Sequence, residues 1–286
     1  MRFPFVDQRP RVRHLLAGVA AVAIMSTQSV TAASVAVLHH PTHNLAAPAL
    51  LQSTGSCTKH PGGPWTCQSP CAPHLHLGYN DSPGCLALAL GAIQHGRARE
   101  QVPPLVLPLG FARLSVPEQL FVLVNLARIA RSVPPLVGLT APLDRAAASA
   151  AARDADATAR ASYGPIQARA MGATWAGGQP NAAAALFGWV YDDGWGGPRN
   201  TPNSDCTGPS APACWGHRRV LLGEDTGTLC TICVAGAAFF NDVRGGNGTS
   251  YGFIIVRPSR TVTSLAYSWN RDVLSHLPPR ERVPAR

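Results

Sequence analysis

Eight cysteines and ten histidines are the residues of this 286-residue chain best suited to chemistry. Thiolates and imidazoles bind zinc, whereas thiols in an oxidising compartment pair as disulfides. The spacings contain no C-x2-C to C-x2-C or C-x2-C to H-x3-H pattern, so we predict structural disulfides and favour a bond from Cys206 to Cys214. Zinc held by the first cysteine group with His60, His74 and His76 is the alternative. The cysteines predicted to be bonded are Cys57, Cys67, Cys71, Cys85, Cys206, Cys214, Cys230 and Cys233.

Two short motifs are typical of nucleophilic enzymes. Residues 248–252 read G-T-S-Y-G, the pattern of a nucleophile elbow, which requires a strand before the serine and a helix after it. Here an Asn/Gly turn precedes the serine and a strand-like run follows it. Cys214 with Trp215 is similar to the Cys-Trp pair of papain-like proteases, but their histidine lies far downstream. We therefore predict neither chemistry.

The first 33 residues have the order of an export signal. Basic residues at positions 2, 9, 11 and 13 precede an apolar stretch over 15–25 and then small residues up to Ala33. Eleven apolar residues are too few to span a bilayer. We predict a signal peptide over 1–33 and a protein that is secreted or associated with the cell envelope. No later run is long enough for a membrane span.

Composition bounds the class of partner. The formal net charge is +9, but only one of the 24 basic residues, Lys59, is a lysine, which indicates a composition bias rather than phosphate recognition. No finger spacing or aromatic-rich basic motif is present, so nucleic acid is not an expected partner.

The remaining chain divides into a Cys/Pro/His-rich segment (34–85), a folded domain (86–258) and a basic tail (259–286). Patterns and stop signals predict helices over 86–99, from Ser115 to Arg131, and over 144–161, 181–191 and 215–222. Strands are predicted only after these helices, at 231–240 and 251–256. An internal echo repeats Arg97 and V-P-P-L-V (102–106) 31 residues later, which we interpret as two helices that end in similar proline stops.

Five segments together carry a family resemblance. They are V-N-L-A-R (124–128), P-P-L (134–136) with Leu143, W-A-G-G (175–178), W-V-Y-D (189–192) and G-H-R-R-V-L-L (216–222). In this combination the chain resembles the bacterial branch of the CAP superfamily (cysteine-rich secretory, antigen 5, pathogenesis-related; the SCP-like domain). The resemblance implies an α+β fold, an α-β-α sandwich with a small, mostly antiparallel sheet.

Many members of that family have a cleft with two histidines and two acidic residues, which in some members binds a divalent metal. By resemblance His217 matches the second histidine of that cleft. Asp192, or its neighbour Asp193, matches one of the two acidic positions. The segment that supplies the other acid corresponds to Gly172-Ala173-Thr174, which has no carboxylate. Only two metal ligands remain in this degenerate cleft, whereas zinc usually needs three or four from the protein, so we expect no cofactor. The alternative is a divalent metal bound at His217.

The expected function is therefore binding rather than catalysis, by a secreted CAP-like protein. Resemblance suggests an envelope component, a small lipid-like molecule or a host surface as the partner. The alternative is a hydrolase of envelope polymers that uses His217 as base and Asp192 as its orienting acid. The candidate binding residues are His217, Asp192, Trp189, Tyr191 and Trp215.

Overall fold

The structure is a computed structural model that describes residues 58–59, 65–66, 79–192, 216–223, 230–241, 248–279 and 282–285. The predicted signal peptide lies outside the described residues, as does most of the 34–85 segment. Within that segment, strands β1 (Thr58–Lys59) and β2 (Trp65–Thr66) form an antiparallel hairpin.

Five α-helices are described: α1 (Pro83–Arg99), α2 (Val116–Ile129), α3 (Ala141–Ala151), α4 (Ala182–Phe187) and α5 (Gly216–Leu222). The capping box predicted before α2 is present, with the Ser115 N–H donating to the Glu118 carboxylate at 2.8 Å. Helix α3 is shorter than predicted, because the chain leaves helical geometry and turns through Asp154 at a φ of 51°. No helix among the described residues is long and apolar enough to cross a membrane.

The main sheet has six strands: β3 (Gly138–Leu139), β4 (Ser162–Tyr163), β5 (Ile166–Gly177), β6 (Val234–Phe240), β7 (Ser250–Pro258) and β8 (Tyr267–Ser268). Their order is β4-β5-β7-β6-β3-β8, and only the β3–β6 pair is parallel. The α+β class is confirmed. The prediction that strands follow all the helices is wrong, since β5 precedes α4 and α5 along the chain.

Side-chain alternation along β6 and β7 shows that both faces of the sheet are buried. Val234, Ala238, Ile254 and Val256 pack with Leu143 and Ala147 of α3 on one face. Ala235, Ala237, Tyr251, Phe253 and Ile255 join the core formed with α1, α2, α4 and α5 on the other. Helix α2 lies on β6 and α5 on β5, while α4 packs against α1 and α2. The described core therefore lies on both faces of the sheet, with α3 on one face and α1, α2, α4 and α5 on the other.

Two glycines let α3 lie directly on the sheet. A Cβ at Gly236 would come within 2.1 Å of the Leu143 backbone, and one at Gly252 within 2.8 Å of the Ala147 carbonyl oxygen. The backbones of α3 and of the strands are therefore so close at these two positions that only glycine fits there.

The segment expected to be a basic tail contributes to the fold. Strand β8 adds to β3, and Trp269, which follows it, is fully buried. The Trp269 indole N–H donates to the Val283 carbonyl at 2.7 Å, and the Asn270 amide pairs with both backbone groups of Ala285 at 2.8 and 2.9 Å. Residues 282–285 are consequently docked on the domain.

Candidate functional site

Helix α5 carries His217, the residue on which the sequence-based site depends. Its inner side, Arg218, Leu221 and Leu222, is buried. Val220 packs over Gly172 of β5, where a Cβ would come within 2.6 Å of the valine side chain. The position of α5 on the sheet therefore requires a glycine at 172.

Arg218 ties the first half of α5 to the end of α1. Its Nη2 donates to Glu100 Oε2 at 3.0 Å and its Nη1 to the Val190 carbonyl at 3.2 Å. Glu100 is the C-cap residue of α1. A charge-assisted, two-point contact of this kind fixes orientation as well as distance.

Arg131 completes a cluster around the same carboxylate, hereafter the Glu100 cluster of Glu100, Arg131, Tyr191 and Arg218. Its Nη2 donates to Glu100 at 2.6 Å and to the Tyr191 hydroxyl at 2.9 Å. The Tyr191 ring fits against Gly96, where a Cβ would approach the ring to 2.4 Å. Four segments of the chain thus meet in one partly buried polar contact.

The charges of the Glu100 cluster determine its protonation. Burial by itself would raise the pKa of Glu100, but the hydrogen bond from Arg218 and the positive charges of Arg131 and Arg218 outweigh burial and hold the pKa below 4.5. The carboxylate is therefore ionised at neutral pH, which keeps both guanidinium groups partnered.

A second buried arginine, Arg128 of α2, holds the other end of α5. Its Nη1 donates to the Leu221 carbonyl at 2.7 Å, and its Nε to the Pro134 carbonyl at 2.9 Å. Burial lowers the pKa of Arg128 to about 10, so it remains charged at neutral pH. A cation at a helix C-terminus also interacts favourably with the helix dipole. Helix α5 is thereby anchored at both ends.

The internal echo in the sequence has a structural counterpart that positions these arginines. After each helix a residue adopts a left-handed conformation, Gln101 and Ser132, both at a φ of 58°. The next N–H, at Val102 or Val133, bonds back to the carbonyl of Arg97 or Arg128 at 3.1 and 3.0 Å. This geometry closes the helix end and turns the chain into the proline segment. The interpretation as two similar proline stops agrees with this geometry.

The two copies share their side-chain contacts as well. Arg97 Nε donates to Pro103 at 2.7 Å, as Arg128 Nε does to Pro134. The Gln94 amide pairs with both backbone groups of Leu105, and the Asn125 amide does so with Leu136, at distances between 2.7 and 3.2 Å. Glu100 and Arg131, also 31 residues apart, are the equivalent positions that pair with each other.

His217 faces a carboxylate that the sequence reasoning did not select. Its Nε2 lies 3.6 Å from Asp156 Oδ2, with side-chain exposures of 20% and 51%. This distance suits an ion pair with a protonated imidazole but exceeds the range of a hydrogen bond. Asp156 lies in the loop after α3, and no motif in the sequence points to it.

The other predicted contact residues have different positions. Trp189 is buried, and its indole N–H donates to the Trp175 carbonyl at 2.9 Å. Tyr191 is buried in the Glu100 cluster. The side chain of Asp192, and Asp193 and Trp215, lie outside the described residues. The His217–Asp192 pair is therefore untested.

Of the cysteines, Cys230 and Cys233 form a disulfide with an S–S distance of 2.07 Å, and Cys85 is disulfide-bonded as well. The remaining five, including the favoured Cys206–Cys214 pair, lie outside the described residues. Ser250 of the G-x-S-x-G motif is the first residue of β7 and is buried. Its hydroxyl donates to the Ala151 carbonyl at 2.6 Å and accepts from the Trp175 indole at 2.8 Å, which leaves it unsuited to nucleophilic attack.

Within the described ranges, no group of three or more histidine, cysteine or acidic side chains could hold a metal ion. Comparison of the chain with protein-family models, curated proteins and solved structures found no match.

Proposed function

We propose that this protein is an exported, CAP-like binding protein whose ligand contacts the surface around His217. The observation that carries the proposal is the anchoring of α5 by Arg218 and Arg128. It places His217 on a fixed element at the protein surface, as a binding site requires. The ligand class is an envelope component, a lipid-like molecule or a host surface.

The contacts among the segments of the resemblance support the CAP-like part of the proposal. Arg128, from the first segment, bonds to Pro134 of the second and Leu221 of the last. Arg218 bonds to Val190, and Trp189 to Trp175. Segments far apart in sequence are therefore direct partners, which is expected if they form one scaffold rather than a set of chance matches.

Binding is preferred to catalysis on geometric grounds. A general base needs its orienting acid within about 3.2 Å, whereas Asp156 lies at 3.6 Å and is half exposed. Trp189 and Tyr191 are buried and therefore act on the proposed binding surface through other residues. The Tyr191 hydroxyl accepts a hydrogen bond from Arg131, which in turn pairs with Glu100, the partner of Arg218. Asp192 and Trp215 adjoin this region in the chain and remain proposed contacts.

Co-sedimentation of the purified protein with peptidoglycan sacculi, and separately with lipid vesicles, tests the proposal. We expect retention by one of these probes, reduced at least tenfold in His217→Ala and Asp156→Asn. The matched controls are His276→Ala and Asp154→Asn, which change the same residue types at exposed positions. Absence of retention by every probe, or equal losses in the controls, would contradict the proposal.

The second candidate is hydrolysis of an envelope polymer with His217 as base and Asp192 as its partner. The observation that favours it is the side chain of His217 itself, which is partly exposed on the anchored helix α5 and therefore accessible to a polymer. Release of soluble fragments from the sacculi by native protein, lost in His217→Ala and Asp192→Ala, would establish this function instead. A zinc titration by calorimetry on the same variants detects any metal bound at His217.

A further inference from the structure

Three arginines form a row across one end of the sheet. Strands β4 and β5 pair with Ser162 opposite Gln167, and the Ala168 N–H continues this register by donating to the Ala161 carbonyl at 2.9 Å. One residue further, Arg160 comes beside Arg169. On the other side of β5, Ala170 lies opposite Arg257 of β7. The Arg160–Arg169–Arg257 row therefore crosses three neighbouring segments.

A β-bulge places Arg169 in this row. The register between β5 and β7 shifts between Ala168 and Ala170, so Arg169 is the additional residue. Ala168 and Met171 both pack on the α3 side, which leaves Arg169 and Ala170 directed to the opposite face. Arg257 shares that face, because alternate residues of β7 from Tyr251 to Ile255 pack away from α3. Bulges commonly redirect a side chain in this way.

The adjacent row of the same sheet end is also polar. The Ser259 N–H donates to the Gln167 carbonyl at 2.8 Å, so Ser162, Gln167 and Ser259 are neighbours across the strands. All three are exposed, as are Arg160 and Arg169, while Arg257 is half-buried. The surface thus combines three guanidinium groups with hydroxyl and amide donors.

The charge of the row is uncompensated. Across the described residues, the guanidinium groups of Arg160, Arg169 and Arg257 have neither an ion pair nor a hydrogen bond, whereas Arg131, Arg218 and Arg271 each bond a carboxylate. Residues 157–170 and 251–271 contain no aspartate or glutamate. Like charges opposite each other on a sheet are destabilising, so the row gains from an anion supplied by a partner.

We propose that the Arg160–Arg169–Arg257 row binds a linear polyanion with repeating phosphate groups. Neighbouring strands lie about 4.8 Å apart, which gives a line of guanidinium forks, each able to take a phosphate through two hydrogen bonds. Residues 157–170 and 257–262 expose no aromatic ring on which a nucleic-acid base could stack. They also expose no large apolar side chain to insert into a bilayer. A phosphate polymer without bases is the partner that fits this surface.

The test measures binding of the purified protein to immobilised linear polyphosphate at two salt concentrations. We expect the triple variant Arg160→Gln, Arg169→Gln, Arg257→Gln to bind at least tenfold more weakly and with a shallower salt dependence. A second triple variant, Arg113→Gln, Arg145→Gln, Arg153→Gln, has the same net charge and changes exposed arginines elsewhere; its binding should fall less than threefold. Thermal melting should give the row variant an unchanged or slightly higher midpoint, which separates lost binding from lost folding.

Equal weakening in both triple variants would assign binding to net charge and overturn the proposal, as would no weakening in either. Single-stranded DNA and phosphatidylglycerol vesicles are the comparison probes. If the row variant loses more affinity for either of these probes than for polyphosphate, the proposed class of partner is wrong. The row shares no residue with the surface around His217, so failure of either proposal leaves the other standing.

Discussion

At the scale of single residues, Asp144 shows how a half-buried side chain can take the place of a neighbouring strand as a hydrogen-bond partner. Strand β3 ends at Leu139, so among the described residues β6 has no strand partner on that side beyond Ala235. Asp144, in the first turn of α3, accepts the Ala237 N–H at 3.0 Å instead. Burial raises the pKa of Asp144 to about 6, against smaller lowering effects from this hydrogen bond and from Arg145.

The Asp144→Asn variant should remove part of the pH dependence of stability. Because the folded-state pKa exceeds the ordinary value of 3.8, ionisation opposes folding, and native stability should fall as pH rises from about 4 to 6. Asparagine keeps an acceptor for Ala237 without the charge, so we expect a gain of roughly 1 kcal/mol above pH 6. Urea unfolding at pH 4.5, 6 and 8 measures this. Identical pH slopes for the two proteins would contradict it, and Asp144→Leu serves as the variant that leaves Ala237 unpaired.

At the scale of elements, the segments that follow α1 and α2 are held by amide side chains. Each amide pairs with one backbone N–H and one backbone carbonyl, as a neighbouring strand would. Asn125 and Gln94 each satisfy one backbone N–H and one carbonyl, for Leu136 and Leu105 respectively. Asn270 does the same for Ala285 near the C-terminus. Backbone groups that leave regular structure inside a protein need such partners.

The loss in the free energy of unfolding when each amide is removed should be larger where the amide is more deeply buried. Asn125 and Leu136 are fully buried, so Asn125→Ala leaves two backbone groups without water or protein partners, and we expect a loss of about 2–3 kcal/mol. Gln94 is half-buried, so Gln94→Ala, at the equivalent position of the other copy, should cost about 1 kcal/mol. Chemical denaturation of both variants gives the comparison. Equal losses would show that the two copies do not differ through solvent access.

At the scale of the whole molecule, the Glu100 cluster connects α1, the segment after α2, the π-helical segment Gly188–Asp192 after α4, and α5. Glu100 and Arg218 lie 118 residues apart in the chain. Removing one member of a largely desolvated charged set leaves the other charges uncompensated, which is why such clusters are sensitive to single substitutions.

Glu100→Gln should therefore destabilise the protein by about 2–4 kcal/mol and increase hydrogen exchange in α5. The pKa of Glu100 is lowered in the folded state, so its contribution is complete above the ordinary value of 4.5 and is lost as pH falls through the folded-state pKa. The variant should lack this loss in acid. Arg271→Gln, which breaks an exposed pair, is the control and should cost less than 1 kcal/mol. Unchanged exchange in α5 for Glu100→Gln would show that the cluster does not hold the helix.

Local features of this protein can be predicted from the order of its residues alone. Helix starts and stops around α1 and α2 follow from the capping box, the apolar spacing and the two proline pairs, because these signals act within a few residues. The apolar runs of β6 and β7 predict strands for the same reason, and the disulfide at Cys230–Cys233 spans only three residues. The resemblance points to His217 and proposes Asp192 as its partner, but it gives no indication of Asp156.

Features that depend on residues far apart in the chain follow from packing and could not be predicted. The Ala/Gly/Arg-rich β5 has little intrinsic preference for a strand, and its pairing with β7 imposes one. The contacts of Tyr191 and Arg218 in the Glu100 cluster, and the approach of Asp156 to His217, join residues whose separations leave no periodic trace in the sequence. The three arginines of the Arg160–Arg169–Arg257 row likewise come together only through the register of β4, β5 and β7 and the bulge in β5. Local propensity acts over a few residues, whereas a site is assembled by packing across the chain.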